Sequence, residues 1–290
     1  MITRLENKFI SVGIKSKGAE MCSLLLKEDG TEYLWQGDPK YWAWHAPICF
    51  PIVGILANGE YQIEDKNFAL TVHGFARDME FTLVESHTDK ALYRLSYDQE
   101  TLINFPYKFQ LEIEYTLLEY EVSVEYKVKN LEDQPMYFSI GAHTGFNCPL
   151  TPHDKWEDYE LIFEENETAK RHFVEKGLIS GVTEVVLKES SIIPLTEDIF
   201  KKDVFIFKNL KSQSIALKSK KTSRCVRVSF VGFPYLGIWS KLDGAPFICI
   251  EPWYGITDHS GESRKISQKE GIQTLMGGKE FACCYKIGIG

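Results

Sequence analysis

Alternation of apolar and polar residues with a period of two is the feature of this sequence that most limits its fold. Residues Phe109 to Leu117 alternate in this way, and after a short turn the pattern returns from Val122 to Val128. Because successive side chains of a strand point to opposite faces of a sheet, this pattern places one face in a core and the other in solvent. The two segments therefore predict a half-buried antiparallel hairpin.

Strand-type patterns recur along most of the chain, whereas helical spacing does not. They are found at 92–97, 204–207, 214–217, 225–230 and 281–287, and 204–207 is expected to turn at Asn209 and pair with 214–217. No window holds apolar residues at i, i+3, i+4 and i+7 over three turns. Short strands at this spacing predict an all-β protein, built as a large antiparallel β-sandwich.

The chain shows no boundary between domains. Residues 1–290 contain no linker, low-complexity tract or internal repeat, so we expect a single domain over this whole length. The part from 151 to 200 is less regular than the rest. Its acidic run from Glu164 to Glu167 is predicted to be a solvated loop between strands.

The charge balance excludes several classes of partner. The formal net charge is −8, and the run around Lys220 is too short to form a basic face, so nucleic acid is not expected to bind. No apolar run approaches the roughly 20 residues of a membrane helix, and the N-terminus lacks the pattern of a signal peptide. We therefore expect a cytosolic protein with no membrane partner.

The cysteines and histidines do not show the spacing of a metal site. The seven cysteines are scattered, odd in number and without a Cys-x-x-Cys pair, which predicts reduced thiols in the core. Cys283 and Cys284 are adjacent, so their side chains should point to opposite faces of a strand. The seven histidines show no His-x-x-x-His spacing beside a carboxylate. We expect no structural metal.

One carboxylate stands out because of the strand that carries it. Glu251 follows four apolar residues, 247–250, that read as a strand buried on both faces, and Pro252 is expected to end this strand. Poor solvation beside Trp253 and Tyr254 raises the proton affinity of a carboxylate toward that of a general base. Such aromatic rings also suit the C–H faces of a sugar. For an arbitrary Glu, an ion pair with Lys or Arg at a strand end is the commoner role.

Two histidines lie in segments that suit a ligand site. His73 is followed by Gly74, which allows close approach of a ligand or another strand, and Arg77 adds a fork of donors. His143 has Gly and Ala before it and Thr144 and Gly145 after it, and these small residues leave room for a ligand. A lone His at a strand end is more often structural. On this basis His143 ranks ahead of His73 as a catalytic candidate.

Three segments together resemble one family. His73-Gly74-Phe75-Ala76-Arg77, the segment 139–149 around His143, and 245–253 around Glu251 are similar, in order and spacing, to the divergent bacterial branch of the aldose 1-epimerase (galactose mutarotase) family. The resemblance runs from about the first strand to the C-terminus.

What the resemblance implies is a galactose mutarotase-like supersandwich with a sugar cleft on a concave face. By motif position Glu251 would be the general base and His143 the general acid, and His73 would help hold the ring and its oxygen. Asp203 and Arg77 would contact the substrate, although Arg77 equally suits a brace for Asp78 or Glu80. The activity implied is anomer exchange of a free aldohexose without a cofactor, in a monomer or homodimer whose partner is a monosaccharide.

Two departures from the family pattern bear on function. Ile55 stands where that branch usually has an Arg that reaches the sugar, so affinity or specificity is affected. Thr144 and Gly145 replace a usual Pro-Ala, which predicts a less rigid loop.

Two alternatives remain open. A hexose-6-phosphate epimerase of a sister branch would carry an Arg-Gly-Gly-Ile-Pro type segment, whereas this chain has residues 45–51 there, beginning with His45. A non-catalytic carbohydrate-binding or sensing protein of the same fold is the other alternative. It would not require an acid and a base placed opposite each other.

Overall fold

The computed structural model describes residues 1–242, 244–261 and 265–290, most of which lie in β-strands. The strands are β1 (Ile2–Glu6), β2 (Ile10–Lys15), β3 (Met21–Leu26), β4 (Ile48–Cys49), β5 (Glu60–Ile63), β6 (Lys66–Ala69), β7 (Thr82–Ser86), β8 (Lys90–Ser96), β9 (Phe109–Leu118), β10 (Glu121–Asn130), β11 (Met136–Phe138), β12 (Ile140–Ala142), β13 (Thr144–Asn147), β14 (Tyr159–Glu167), β15 (Lys170–Glu175), β16 (Leu178–Val185), β17 (Ser190–Pro194), β18 (Phe205–Lys208), β19 (Ser214–Ser219), β20 (Cys225–Ser229), β21 (Tyr235–Trp239), β22 (Phe247–Tyr254), β23 (Gln273–Leu275) and β24 (Glu280–Ile289). The helical segments are short, namely α1 (Thr101–Asn104) and the 3-10 turns Ala57–Gly59, Ala76–Asp78, Trp156–Asp158 and Ile266–Gln268.

Two large antiparallel sheets form the body of the molecule. One has nine strands in the order β17-β14-β19-β20-β24-β10-β9-β8-β7. The other has eight, in the order β16-β15-β18-β21-β22-β12-β4, with β13 also paired to β22. Leu111 and Ile113 of the first sheet and Ile248 and Ile250 of the second belong to one buried cluster, so the inner faces of the two sheets meet. The predicted large antiparallel β-sandwich is confirmed.

The hairpin predicted from alternation is present as β9 and β10. Val122 lies opposite Leu117, and Val128 lies opposite Leu111. Along β9 the residues with odd numbers from Phe109 to Leu117 are buried, and those between them are partly exposed. The periodicity of two therefore correctly predicted both the strand and the face that it buries.

Two local predictions are wrong. β18 and β19 do not pair with each other, because β18 lies in the eight-stranded sheet and β19 in the nine-stranded one. The acidic run is not a loop but the end of β14. It tolerates a strand because Glu167 Oε1 accepts the Ser212 N–H (2.7 Å) and Glu164 Oε2 accepts the Gln213 N–H (3.1 Å).

The core extends along the described chain. Leu5 near one end and Ile289 near the other both belong to the main buried cluster. The single domain over 1–290 stays a prediction. Within the described ranges no helix is long and apolar enough to cross a membrane. Cys283 is buried and Cys284 is partly exposed, as expected for adjacent residues on a strand.

Candidate active site

Glu251 lies in the middle of β22, on the face that points away from the main core. Ile248 and Ile250 point into that core, whereas Cys249 and Glu251 point to the opposite face. Glu251 is opposite Gly237 of β21 and is 1% exposed. A central strand therefore holds this carboxylate rigidly and out of water.

The strand continues through Pro252, so the prediction that this proline ends it is wrong. On one side, Pro252 pairs with Leu236 of β21. On the other side, β13 pairs as far as Ile250 and β12 starts again at Trp253. The break in the ladder lies beside Pro252, so the sheet loses no hydrogen bond to its missing N–H.

His143 occupies this break, between β12 and β13. Its backbone N–H donates to the Pro47 carbonyl (3.1 Å), and its Nε2 lies 3.2 Å from Glu251 Oε2. The contact between the two side chains is not an aligned hydrogen bond. In the part of the chain that the structure describes, Glu251 Oε2 and His143 Nδ1 are buried without a hydrogen-bond partner. Such atoms are costly unless a ligand satisfies them.

Burial sets the protonation of this pair. Desolvation raises the pKa of Glu251 well above its ordinary value. Desolvation, with smaller contributions from His73 and Arg77, lowers the pKa of His143 well below its ordinary value. Burial therefore favours the neutral forms of both side chains.

His73 presents one ring nitrogen to the cleft. The Gly54 N–H donates to its Nδ1 (3.1 Å), which assigns the proton of the neutral ring to Nε2. Desolvation, and then the charge of Arg77, lower its pKa to about 3. Its ring lies edge-on to His143, with centroids 5.1 Å apart. His73 is thus a neutral hydrogen-bond donor.

The backbone at His73 adopts a left-handed conformation, with a φ of 63°, and Gly74 follows with 74°. A Cβ on Gly74 would lie 2.3 Å from the Phe50 carbonyl oxygen. The close approach expected at this glycine is therefore made by another chain segment and not by a ligand.

Arg77 lines the cleft and is partly engaged by the protein. Its Nη2 donates to the Val72 carbonyl (2.9 Å), its Nε lies 3.7 Å from Asp78 Oδ2, and its guanidinium lies 4.6 Å from the Trp44 ring centroid. The structure therefore includes the brace to Asp78. It also leaves Arg77 at the edge of the cavity.

Asp203 lies at the rim of the same cleft, directly before β18. Its φ is 72°, its side chain is exposed, and one carboxylate oxygen accepts the Val204 N–H (2.8 Å). A strained residue at the rim of a cleft is a functional candidate, because strain is kept where a specific geometry is needed.

Aromatic rings that sequence reasoning missed form a wall on the Cys249 side of Glu251. Trp42 stacks on His143 with centroids 4.8 Å apart, and Trp239 meets His143 edge-on at 5.7 Å. The space expected around Gly145 for a ligand is taken by Trp42, since a Cβ there would lie 3.1 Å from that ring. Gly145 lies in β13, so the expected loose loop is a strand.

The aromatic pair predicted beside Glu251 is divided between two faces. Trp253 lines the cleft, and its Nε1 donates to the Ala142 carbonyl (3.1 Å). Tyr254 points to the other face, where it packs on Phe233 and Phe281. The alternation of the strand places them on opposite sides.

All five predicted site residues line one cavity of about 400 Å³. Its remaining described lining is mostly apolar and consists of Trp42, Trp44, Gly54, Ile55, Val72, Val174, Gly177, Val204, Ile206, Trp239, Trp253 and Thr257. The Trp42-Ala-Trp44 spacing was a signal for two of these rings. Nothing local in the sequence pointed to Trp239, Val174 or Thr257.

One group of side chains has the composition of a metal site. Ligand atoms of His143, Cys249 and Glu251 all lie within 4.8 Å of one another. A nitrogen, a sulfur and an oxygen suit a borderline-soft divalent cation. Burial raises the pKa of the Cys249 thiol well above its usual range, which opposes the thiolate that such a cation needs. A metal-free site stays a prediction.

Comparison with known proteins identifies the family. Residues 1–269 match the sequence profile of the aldose 1-epimerase family. The chain belongs to the aldose 1-epimerase family. It is 36% identical over 285 residues to the chromosomal LacX protein of Lactococcus lactis subsp. lactis, covering 95% of each chain.

Two solved structures extend this family relationship to the fold. A galactose mutarotase related enzyme from Lactobacillus acidophilus superposes with a TM-score of 0.96 at 31% identity, over 100% of this chain and 97% of the other. A galactose mutarotase-like protein from Lactobacillus casei ATCC 334 gives 0.95 at 32% identity, over 100% of both chains. The supersandwich expected for an aldose 1-epimerase family member is therefore confirmed.

Proposed function

We propose that this protein is an aldose 1-epimerase that interconverts the α and β anomers of a free aldohexose. The observation that carries the proposal is the contact between Glu251 Oε2 and His143 Nε2, 3.2 Å apart at the base of a cavity. The two hemiacetal oxygens O1 and O5 are bonded to the same carbon. One acid and one base held side by side can therefore reach both at once.

The reaction needs two proton transfers and no other chemistry. Glu251 takes the proton from the O1 hydroxyl while His143 gives a proton to O5, so the C1–O5 bond breaks and the C1–O1 double bond forms. Rotation about C1–C2 presents the other face of the aldehyde. The reverse transfers then close the ring, and the two residues exchange roles.

A neutral Glu251–His143 pair is one proton transfer from the active form. Moving the proton from Glu251 to His143 gives a carboxylate and an imidazolium without any net gain of protons. Sugar hydroxyls entering the site supply hydrogen bonds to both charged groups, which favours that transfer. The pair therefore titrates as a unit.

The other candidates would position the sugar. The His73 Nε2–H is a neutral donor beside His143 and suits the ring oxygen or a neighbouring hydroxyl. Arg77 and Asp203 lie at the edge of the cavity and suit outer hydroxyls. The rings of Trp42 and Trp239 line the same cavity and offer apolar surface to the C–H groups of the sugar.

The phosphorylated-sugar alternative has less support. Among the described cavity-lining residues, Arg77 is the one Lys or Arg, and it is already engaged with Val72. The segment that would hold phosphate instead supplies His45, whose Nδ1 lies 3.1 Å from Lys15 Nζ and 3.5 Å from Glu20 Oε2. A neutral sugar fits this charge distribution better.

Polarimetry of freshly dissolved α-D-glucose and α-D-galactose tests the proposal directly. We expect micromolar protein to accelerate the approach to the anomeric equilibrium, without added metal or nucleotide. A trace that follows the buffer rate for several aldoses would refute enzymatic function and favour the binding or sensing alternative.

A further inference from the structure

One side of the cavity is an aliphatic wall formed by Ile55, Val174, Val204 and Ile206. Val174, Val204 and Ile206 pack in one cluster with Trp253, on the side of Glu251 away from Trp42 and Trp239. The family resemblance predicts an Arg in this wall, at the position that Ile55 occupies.

The segment behind Ile55 is fitted to an aliphatic side chain. A Cβ on Gly177, in the β15–β16 turn, would lie 2.3 Å from Ile55 Cδ1, so the glycine provides the space for this side chain. Thr257 Oγ1 accepts the Ile55 N–H (3.0 Å) and donates to the Gly177 carbonyl (2.6 Å). The Ile55 carbonyl accepts the Asp258 N–H (2.9 Å). These bonds therefore hold the loop that contains Ile55 and the β15–β16 turn in place around the Ile55 side chain.

These bonds also engage polar groups of this part of the wall with protein partners. The hydroxyl proton of Thr257 is donated to Gly177, and both backbone polar groups of Ile55 have protein partners. The Gly54 N–H and carbonyl are both bonded to His73. The Gly54 and Ile55 N–H groups and the Thr257 hydroxyl proton are therefore all engaged within the protein.

The backbone polar groups at the Val204 end of the wall are also hydrogen-bonded within the protein. The Val204 N–H donates to Asp203 Oδ1 (2.8 Å), and its carbonyl accepts from Arg171 Nε (3.1 Å). The Asp203 carbonyl accepts from Arg171 Nη2. At this end of the wall, the second carboxylate oxygen of Asp203 is a further polar atom, and it lies at the rim of the cavity.

A hydroxyl pressed against such a wall loses its water without gaining a partner, whereas a methyl group gains burial. In an aldohexose, C6 is the substituent attached to the ring through carbon. Removing its hydroxyl leaves a methyl that can fill the space, whereas removing a ring hydroxyl leaves only hydrogen.

We propose that the aliphatic wall selects a 6-deoxyaldohexose, and that Ile55, Val174 and Val204 determine this specificity. The inference rests on the proposed sugar site and narrows its substrate class.

Matched sugar pairs test the inference. We would compare D-galactose with 6-deoxy-D-galactose and D-glucose with 6-deoxy-D-glucose, by polarimetric kcat/KM and by calorimetric Kd, after subtraction of each sugar's spontaneous rate. In at least one pair the deoxy sugar should be favoured by about 10- to 100-fold, which is the range for a single group in an apolar pocket.

Variants that add one hydroxyl to the wall without changing its shape give the decisive comparison. Val204→Thr and Val174→Thr should each reduce the deoxy preference several-fold, by improving the 6-hydroxy sugar. The same exchange at Val231, which is 57% exposed and outside the cavity, should leave the ratio unchanged.

The outcomes separate the two proposals. Equal turnover and binding of both members of each pair, or a preference for the hydroxyl, would overturn the inference and leave the epimerase function standing. Preferential binding of the deoxy sugar without acceleration would support the wall and refute the catalytic function. Absence of binding and acceleration for all four sugars would refute both.

Discussion

The β9–β10 hairpin and β22 use the same strand geometry in opposite electrostatic surroundings. On the outer face of the hairpin, Glu112 lies 2.7 Å from Arg94 and Glu114 lies 3.1 Å from Lys90, and all four side chains reach solvent. On the outer face of β22, Glu251 is covered by protein and has a histidine as its neighbour.

The two regions differ in how their carboxylates are solvated, and this difference affects ionisation. A carboxylate in solvent is stabilised as an anion, and a surface ion pair adds only about 0–1 kcal/mol. Burial under tryptophan and histidine rings raises the pKa of a carboxylate, and such shifts are typical of functional sites. Under the proposed function, one region serves stability and the other reactivity, so substitutions in each should affect different measurements.

Leu111→Ala should have the largest effect, and it should be on folding alone. This side chain is fully buried between the sheets, so its truncation should lower the free energy of unfolding by about 2–5 kcal/mol. Urea denaturation measures the loss, and Thr116→Val on the outer face of β9 is the control, with a change within about 0.5 kcal/mol. A large loss of kcat in folded Leu111→Ala protein would contradict the division between the two regions.

Glu251→Gln should have the converse effect. The amide keeps the shape of the side chain but removes the base, so kcat should fall by at least about 100-fold while the Kd for sugar stays within a few-fold. His143→Asn should behave similarly, and the double variant should be little worse than either single one, because the two groups act as a unit.

Exposed Glu175→Gln is the matched control for that experiment and should retain full activity. If Glu251→Gln kept wild-type turnover, or lost sugar binding and folding together, Glu251 would be a structural residue and not the base.

The stability of Glu251→Gln should also depend on pH differently from that of the wild type. Burial raises the pKa of Glu251, so above about pH 4.3 the unfolded chain releases a proton that the folded chain keeps. The wild type therefore loses stability as pH rises from there toward the folded-state pKa, by up to about 1.4 kcal/mol per pH unit. The glutamine variant lacks this loss.

Urea midpoints measured from about pH 4 to pH 8 check the sign. We expect the difference between the variant and the wild type to grow in favour of the variant as pH rises. Parallel curves would show that Glu251 ionises normally in the folded protein.

Ile55→Arg should produce the smallest change in free energy, and it tests the role of the aliphatic wall within the cleft. A guanidinium in the aliphatic wall adds a charged donor, worth roughly 1.5–3 kcal/mol, so the KM for galactose or glucose should fall about tenfold with kcat changed less. The preference for 6-deoxy sugars should reverse. Ile55→Met has similar reach without the donor and is the control; equal KM values for the two variants would argue against a sugar contact at this position.

The sequence by itself determined the features that depend on neighbours along the chain. Alternation predicted β9 and β10 and the faces that they bury, because the period of two is a local property of a strand. The unbroken apolar run before Glu251 indicated a strand buried on both faces, because such a strand has protein on each side. Three motifs also contained four of the residues that line the cleft, namely His73, Arg77, His143 and Glu251.

Tertiary structure alone decided which distant segments meet. β18 and β19 were expected to pair and lie in opposite sheets, because strand pairing depends on packing across the whole chain and not on the turn between two strands. Pro252 remains inside β22 only because β12 and β13 leave a break beside it, and His143 fills that break. Gly177, which is remote in sequence from Ile55, makes room for the Ile55 side chain. In each case the outcome depends on a segment that is remote in sequence, which no local pattern records.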